Sequence, residues 1–471
     1  MKKLSTLIMC AALASAAAAQ SVNFSEHISP IIYNNCTKCH RLAEVAPFPL
    51  TSYNEVASRS QMIKDVTGLR YMPPWMPDRT FSKLLDERYL TDEQIRLIAD
   101  WVDAGAPQGD PALEAPLPHF PSGSQLGTPD LVLSMSQSYK IQGNNTDEYR
   151  IFVLPTGLAS AQDIAAVEFR PGNNKIVHHA LIAVDTTGQG RIKDQQDPGY
   201  GYSGFGGFGG IIPNNLLPGY VPGATARFYP DGIGQRIPKN ADLLVQVHYA
   251  PSPVAASDSS SINIFFSKQP IKRYLRGKIM LPFDLVGGWL SFVIPPNQVT
   301  QFHGIWNVAS DASLLSLWPH CHLLGKSWEA YFEDASGKRT NLLRINNWNF
   351  NWQGGYLPER LIKIPAGAKV HVFATYDNTA NNPSNPNNPS KQVTWGEKTT
   401  DEMYFFPLGF VTYQPGDENI DLRTEVKGRD QAKVVTGFEL AQNYPNPFLS
   451  AAKSPARGGD LYPHLAYWTQ R

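Results

Sequence analysis

The run Leu315-Ser316-Leu317-Trp318-Pro319-His320-Cys321-His322-Leu323-Leu324 places two histidines one residue apart in an apolar, strand-like segment. Successive side chains of a strand alternate faces, so His320 and His322 point the same way and can grip one metal ion. Matching donors occur elsewhere: the adjacent pair His178-His179, His248 in the apolar run Leu244-Tyr249, and Met403 after Thr399-Thr400-Asp401-Glu402. Imidazole nitrogens with a thioether suit copper that cycles between two oxidation states, the soft sulfur favouring Cu(I). A single histidine is more often a satisfied core or surface residue, so the reading rests on the set. His178-His179 also sets a condition. Alternation sends neighbours to opposite faces, so both reach one ion only at a bulge or strand end.

A second chemistry is written at Cys36-Thr37-Lys38-Cys39-His40, a C-x-x-C-H haem attachment motif. Both thiols would bond to haem vinyl groups, with His40 carried beneath the iron as proximal ligand. In Tyr71-Met72-Pro73-Pro74-Trp75-Met76, the residue before proline is held extended, so Met72 sits on a stiff loop that suits an axial sulfur. Met76 and Met62 are rivals for that role, and either can simply pack. Ser25 is expected to cap a first helix leading into the motif. A last helix should start at Thr91, where Thr91-Asp92-Glu93-Gln94 forms a capping box. Its apolar face carries Ile95, Ile98, Trp101 and Val102, and Gly105 and Pro107 end it. Residues 21–110 resemble a class I c-type cytochrome domain, with haem c as its cofactor.

The surrounding chain must position these groups. Of 471 residues, 42% are hydrophobic, enough for real cores. Basic and acidic residues balance at 41 each, which speaks against nucleic acid as a partner. Lys2-Lys3, an apolar run and Ala16 to Ala19 read as a secretory signal over 1–20. No later run is long enough to span a bilayer, so no transmembrane segment is expected. Residues 111–128 form a proline-rich linker. Beyond it, short strand-like runs separated by Gly, Pro and Asn turns suggest a mainly β chain of sandwiches over 129–270 and 271–415. Residues 200–210, rich in glycine and aromatics, read as a mobile loop.

Taken in order, His178-His179, His248, His320-x-His322 and Met403 resemble the ligands of ascorbate-dependent type II copper monooxygenases. Peptidylglycine α-hydroxylating and dopamine β-monooxygenases belong to that family. The resemblance covers about 129–415. It implies two jelly-roll-like β-sandwich domains behind the small all-α cytochrome c-like domain, each holding one of two copper ions across an open cleft. By that resemblance His178, His179 and His248 hold the electron-donating copper. His320, His322 and Met403 hold the copper that meets O2 and a substrate C–H bond. The family's disulfides are missing, and Trp318 stands where the peptide-amidating enzyme has a carboxylate-binding arginine. Cys321 should point away from the metal; His27, His119, His303, His371 and His464 read as structural or exposed. Residues 436–448, within a tail over 416–471, resemble the opening of a type IX secretion sorting domain, so a periplasmic, surface or secreted location is expected. The implied function is hydroxylation of a small organic substrate with O2. Electrons would enter through the haem from ascorbate or a redox protein. The alternative is a non-catalytic exported haem and copper electron-transfer or copper-binding protein.

Overall fold

After Asp130 the runs of β-branched and aromatic residues form strands, and the chain is mainly β. The computed structural model describes residues 22–423, apart from 43, 122, 205, 206, 212, 214, 224 and 397. They fall within one compact unit. The expected leader and sorting motif lie outside the described residues. Among the described residues, no helix is long and apolar enough to cross a membrane.

Ten strands build two five-stranded sheets: β1 (Leu131–Ser134), β2 (Glu148–Pro155), β3 (Gln162–Arg170), β4 (Val177–Asp185), β5 (Tyr202–Ser203), β6 (Asn215–Tyr220), β7 (Ile233–Ile237), β8 (Asp242–Tyr249), β9 (Ser261–Phe266) and β10 (Arg273–Tyr274). One sheet runs β5-β2-β8-β4-β6 and the other β1-β9-β3-β7-β10. Their facing side chains, among them Phe152, Ile164, Ile182, Val245 and Ile262, share one buried core. The opposite face of the first sheet alternates with that core and presents Tyr149, His179, Leu181, Gln246 and His248.

A further pair of four-stranded sheets follows: β11 (Arg276–Met280), β12 (Val299–Asn307), β13 (Ala312–Leu317), β14 (Gly325–Glu333), β15 (Arg339–Ile345), β16 (Ile362–Ile364), β17 (Lys369–Asp377) and β18 (Phe406–Thr412). Their orders are β11-β18-β13-β16 and β12-β17-β14-β15. Trp328, Leu314, Val372 and Phe406 pack between them. Strand β13 ends at Leu317, earlier than the alternation suggests. Pro319 has no N–H to continue a ladder, and beyond Leu317 the Trp318 N–H still bonds the Pro407 carbonyl before the isolated bridge His320↔Phe405.

Among the described residues ahead of the strands, a π-helical turn (Phe24–Ile28) runs into α1 (Ser29–Asn35), followed by α2 (Tyr53–Ala57), α3 (Ser60–Gly68) and α4 (Asp92–Asp103). They close around Phe24, Ile28, Ile32, Val56, Ile98 and Trp101. Thr91 and Gln94 form the capping box that opens α4. The first cap differs from expectation. Asn23 accepts from the Glu26 N–H, while Ser25 is buried and donates to the Gln108 carbonyl at 2.9 Å. This segment also docks on the sheets. Lys38 Nζ donates to Thr225 Oγ1 at 2.5 Å, and the Asp78 and Leu85 amides donate to the Arg344 and Leu357 carbonyls.

The stretch expected to be a mobile loop is laid on the first sheet. Buried Arg150 donates to the Tyr200 and Gly201 carbonyls and pairs with Asp197 at 2.7 Å. Phe208 and Ile211 cover Ile151 and Leu244.

Candidate metal centre

The condition on His178-His179 is met by a bulge. The β4–β8 register pairs Val177 with Tyr249 and then His179 with His248, so His178 is the extra residue. A bulge re-aims one side chain without moving the rest of the strand. His178 Nδ1 therefore lies 3.2 Å from His179 Nδ1, which lies 3.3 Å from His248 Nδ1. Two nitrogens bound to one ion at about 2.0–2.1 Å with near-tetrahedral angles stand roughly 3.3 Å apart, so the spacing is that of ligands.

Each histidine is oriented by its other nitrogen or by a ring. His248 Nε2 lies 2.7 Å from Asp147 Oδ1, and Thr399 Oγ1 donates to the second oxygen of that carboxylate. With Nε2–H donating to Asp147, Nδ1 keeps its lone pair. The Tyr149 ring stacks on His248 at 4.2 Å with planes 4° apart, a cross-strand pair in the β2–β8 register.

His320 and His322 do face one another, with ring centroids 5.2 Å apart. His320 Nδ1 bonds to Gln353 Oε1, and His322 Nδ1 lies 3.1 Å from the Asp401 carbonyl. With Nδ1–H donating in both contacts, Nε2 keeps its lone pair. Cys321 points the other way, into the second core, where its sulfur accepts from Trp328 Nε1 at 3.2 Å.

Glu402 holds this end of the site together. Its carboxyl is fully buried and accepts the backbone N–H of His322 at 2.8 Å, of Leu324 at 2.7 Å and of Met403 at 3.1 Å. Tyr376 Oη donates to the Met403 carbonyl at 2.7 Å. Burial outweighs the three donors and pushes the Glu402 carboxyl up to about 8. Met403 lines a cavity of about 940 Å³ with His179, His320, His322, Trp318 and Phe405. Trp318 lies over Gly355, where a Cβ would stand 2.4 Å from its ring.

Burial favours the neutral form of four of the imidazoles. It lowers His178 to about 4, His320 to about 3 and His322 to about 4, and lowers His179 as well. Metal ligation needs the deprotonated ring, so no proton has to leave at neutral pH.

The two histidine sets are adjacent. His179 and His320 ring centroids are 6.3 Å apart. Phe350 stacks on His178 at 5.5 Å and meets His322 edge-on at 5.9 Å. The open cleft implied by the sequence resemblance does not separate these rings. His303 and His371 form a separate pair on the β12–β17 sheet, Nε2 to Nδ1 at 2.8 Å.

The C-x-x-C-H loop continues α1 by backbone bonds from His40 N–H and Cys39 N–H to the Cys36 carbonyl. Both thiols are free, and burial raises them, Cys36 to about 12. His40 Nδ1 lies 3.1 Å from the Phe48 carbonyl, so with Nδ1–H donating, Nε2 keeps its lone pair. Cys39 lines the same cavity as the histidines. Two thiols and an imidazole are the donor set a covalent haem needs, and of the three residues Cys39 lines the cavity while Cys36 and His40 do not. Of the methionines, Met76 accepts the Asn349 N–H at 3.2 Å and packs on the second core, and Met62 is exposed. Met72 is half-buried, its N–H bonded to the Val66 carbonyl.

Asp147, Thr399, Gln353, Phe350 and Glu402 escaped the sequence reading. Asp147 follows the polar turn Asn144-Asn145-Thr146, and Gln353 lies in an irregular loop, so neither carries a local signal. Glu402 could have been suspected as an acid between a polar run and aromatic residues.

No protein-family model matches this chain, and no curated protein does. Among solved structures, a peptide-N(4)-(N-acetyl-β-D-glucosaminyl) asparagine amidase is 8% identical, covering 60% of this chain and 97% of that one, at a TM-score of 0.26. A Paenibacillus xanthan lyase is 10% identical over 64% of this chain and 28% of its own, at 0.16. The VP2 subviral particle of infectious bursal disease virus is 7% identical over 63% and 75%, at 0.19. Likeness at this level carries no argument about fold family or activity.

Proposed function

We propose that this protein is a copper-dependent monooxygenase that hydroxylates a C–H bond of an organic substrate with O2. Cys36, Cys39 and His40, with Met72, would hold a c-type haem that supplies the electrons. The assignment includes the finer architecture: a cytochrome c-like helical segment ahead of two jelly-roll-like domains. The observation that carries it is the convergence of the His178, His179 and His248 Nδ1 atoms at 3.2–3.3 Å, with Asp147 behind His248.

When bound, copper supplies one-electron redox chemistry and O2 activation, and haem supplies an electron store. The protein's own contribution is positional. Asp147, Gln353 and the Asp401 carbonyl fix the ring tautomers, so each of these imidazoles would offer a lone pair and not an N–H to a bound ion. Glu402 holds the backbone of His322 and Met403 in one arrangement. Trp318, Phe405 and Met403 wall the cavity beside His320, where an organic substrate would be held against apolar surface. A cavity of this size, lined by His179 as well as His320 and His322, favours catalysis over simple copper storage. An external reductant, ascorbate or a redox protein, completes the electron balance.

The test is O2 uptake by copper- and haem-loaded protein with a panel of apolar substrates. Substrate-dependent uptake with one oxygen atom in the product supports the proposal. Substrate-independent redox cycling alone would favour the electron-transfer alternative.

A further inference from the structure

We infer that Tyr71, Trp352 and Gln353 form the electron path from a haem held at Met72 to the metal bound at His320. This rests on the proposed reading of haem and copper in this chain and adds the route between them.

The route is short because one loop touches both ends. In the helical segment the Tyr71 and Met72 N–H groups both bond the Val66 carbonyl, at 2.9 and 3.1 Å, which fixes them just beyond α3. Tyr71 turns its ring onto Trp352, with centroids 6.3 Å apart and planes at 74°. That is the edge-to-face arrangement aromatic pairs favour. Trp352 ends a 3-10 turn, Phe350–Trp352, and the next residue is Gln353, whose Oε1 bonds His320 Nδ1. Gln353 also donates from Nε2 to the Phe350 carbonyl at 2.9 Å, so both ends of its amide are held. Between Met72 and His320 there is thus one ring contact and one hydrogen bond, and the rest of the way is covalent.

Electron tunnelling falls off far more steeply across gaps than along bonds, so the route with the fewest through-space steps dominates. The other contacts between the two segments are detours. Trp75 meets Tyr356 edge-on at 5.6 Å, and the Tyr356 N–H bonds the Leu317 carbonyl at 2.8 Å, but Trp318 and Pro319 still lie between Leu317 and His320. Met76 accepts the Asn349 N–H at 3.2 Å, which leaves the chain from Asn349 to Gln353 to be crossed. In the step proposed, one electron leaves ferrous haem, which becomes ferric, and reduces Cu(II) at His320 to Cu(I). No bond forms or breaks, and neither ring is oxidised on the way. The external reductant returns the haem to the ferrous state.

The experiment is flash photoreduction of the haem in anaerobic, full-length protein loaded with Cu(II). Haem re-oxidation is followed by visible absorption, and loss of Cu(II) by freeze-quenched electron paramagnetic resonance. Tyr71→Leu and Trp352→Leu should each slow re-oxidation by an order of magnitude or more. Tyr71→Phe, which keeps the ring, and Trp75→Leu, which lies off the path, should stay near the wild-type rate. Tyr71 is 49% exposed, so its exchange opens no core, and Trp352→Leu repeats the test away from Met72. Haem and copper potentials, titrated in every variant, should not move. A wild-type rate in Trp352→Leu, or equal slowing in Trp75→Leu, would overturn the path and leave the haem and copper assignments standing. Slowing that comes with shifted potentials would overturn it as well, because a structural loss then accounts for the rate. Protein that holds no haem or no copper would overturn the proposed function itself.

Discussion

Asp147 offers a sharp test of whether these histidines bind metal or merely pack. Its carboxylate lies 2.7 Å from His248 Nε2 and is held by Thr399 on its other oxygen. Asp147→Asn keeps an oxygen for the same bond and removes the charge, whereas Asp147→Ala removes both. A hydrogen bond to a charged group contributes about 1.5–3 kcal/mol, and loss of such a second partner behind a ligating histidine weakens metal binding about 10–100-fold. Those figures agree, because each factor of ten is about 1.4 kcal/mol. Asp147→Ala should therefore weaken copper at the His178–His179–His248 site by one to two orders of magnitude, and Asp147→Asn by less. A chelator competition titration of Cu(I) reads this directly, with circular dichroism confirming the fold. Thr399→Val, which removes only the Thr399 hydroxyl bond, should move the affinity least. Equal copper affinity in wild type and Asp147→Ala would refute the argument that Asp147 orients a metal ligand.

Glu402→Gln puts an amide N–H against at least one of the three backbone donors it now satisfies. That should cost about 1–3 kcal/mol in denaturant unfolding, and an unchanged midpoint would show that the clamp is redundant. Met403→Ile preserves bulk, so it should cost under about 1.5 kcal/mol of stability while removing the Cu–S contribution from X-ray absorption of reduced protein. An identical spectrum would return Met403 to a packing role. In metal-stripped protein, His178, His320 and His322 stay neutral down to about 4, 3 and 4. The unfolded chain takes up these protons near 6.5, so stability should fall as pH drops below that value. Each group contributes up to about 1.4 kcal/mol per pH unit until its folded pKa is reached. A flat denaturation midpoint from pH 6.5 to 4.5 would contradict the buried, neutral imidazoles.

How far the sequence was legible depended on whether the signal was local. The α4 capping box at Thr91 and Gln94, the strand-like runs after Asp130 and the inward turn of Cys321 follow from residues within a few positions of each other. So does the shared orientation of His320 and His322, although β13 stops short of them at Pro319. The bulge at His178 could be stated as a condition but not located, because it depends on the register of β4 against β8. The partners of the histidines were hidden for a similar reason. Asp147 lies 101 residues from His248, and Glu402 lies 80 from His322. The adjacency of His179 and His320 depends on how two sandwiches meet, which no alternation pattern within one strand encodes. The first helix cap went to Asn23 because Ser25 turned inward to bond Gln108, a contact 83 residues away.

The central claim is that these five histidines and Met403 hold copper in a chain that also carries covalent haem. Elemental analysis tests it most directly, on full-length protein made with cytochrome c maturation, supplied with copper and then passed over a chelating column. The account predicts two copper and one iron per chain, with iron alone retained when His178, His179, His320 and His322 are replaced together by alanine. Iron without copper in the wild-type protein, or copper unchanged in the fourfold variant, would contradict it.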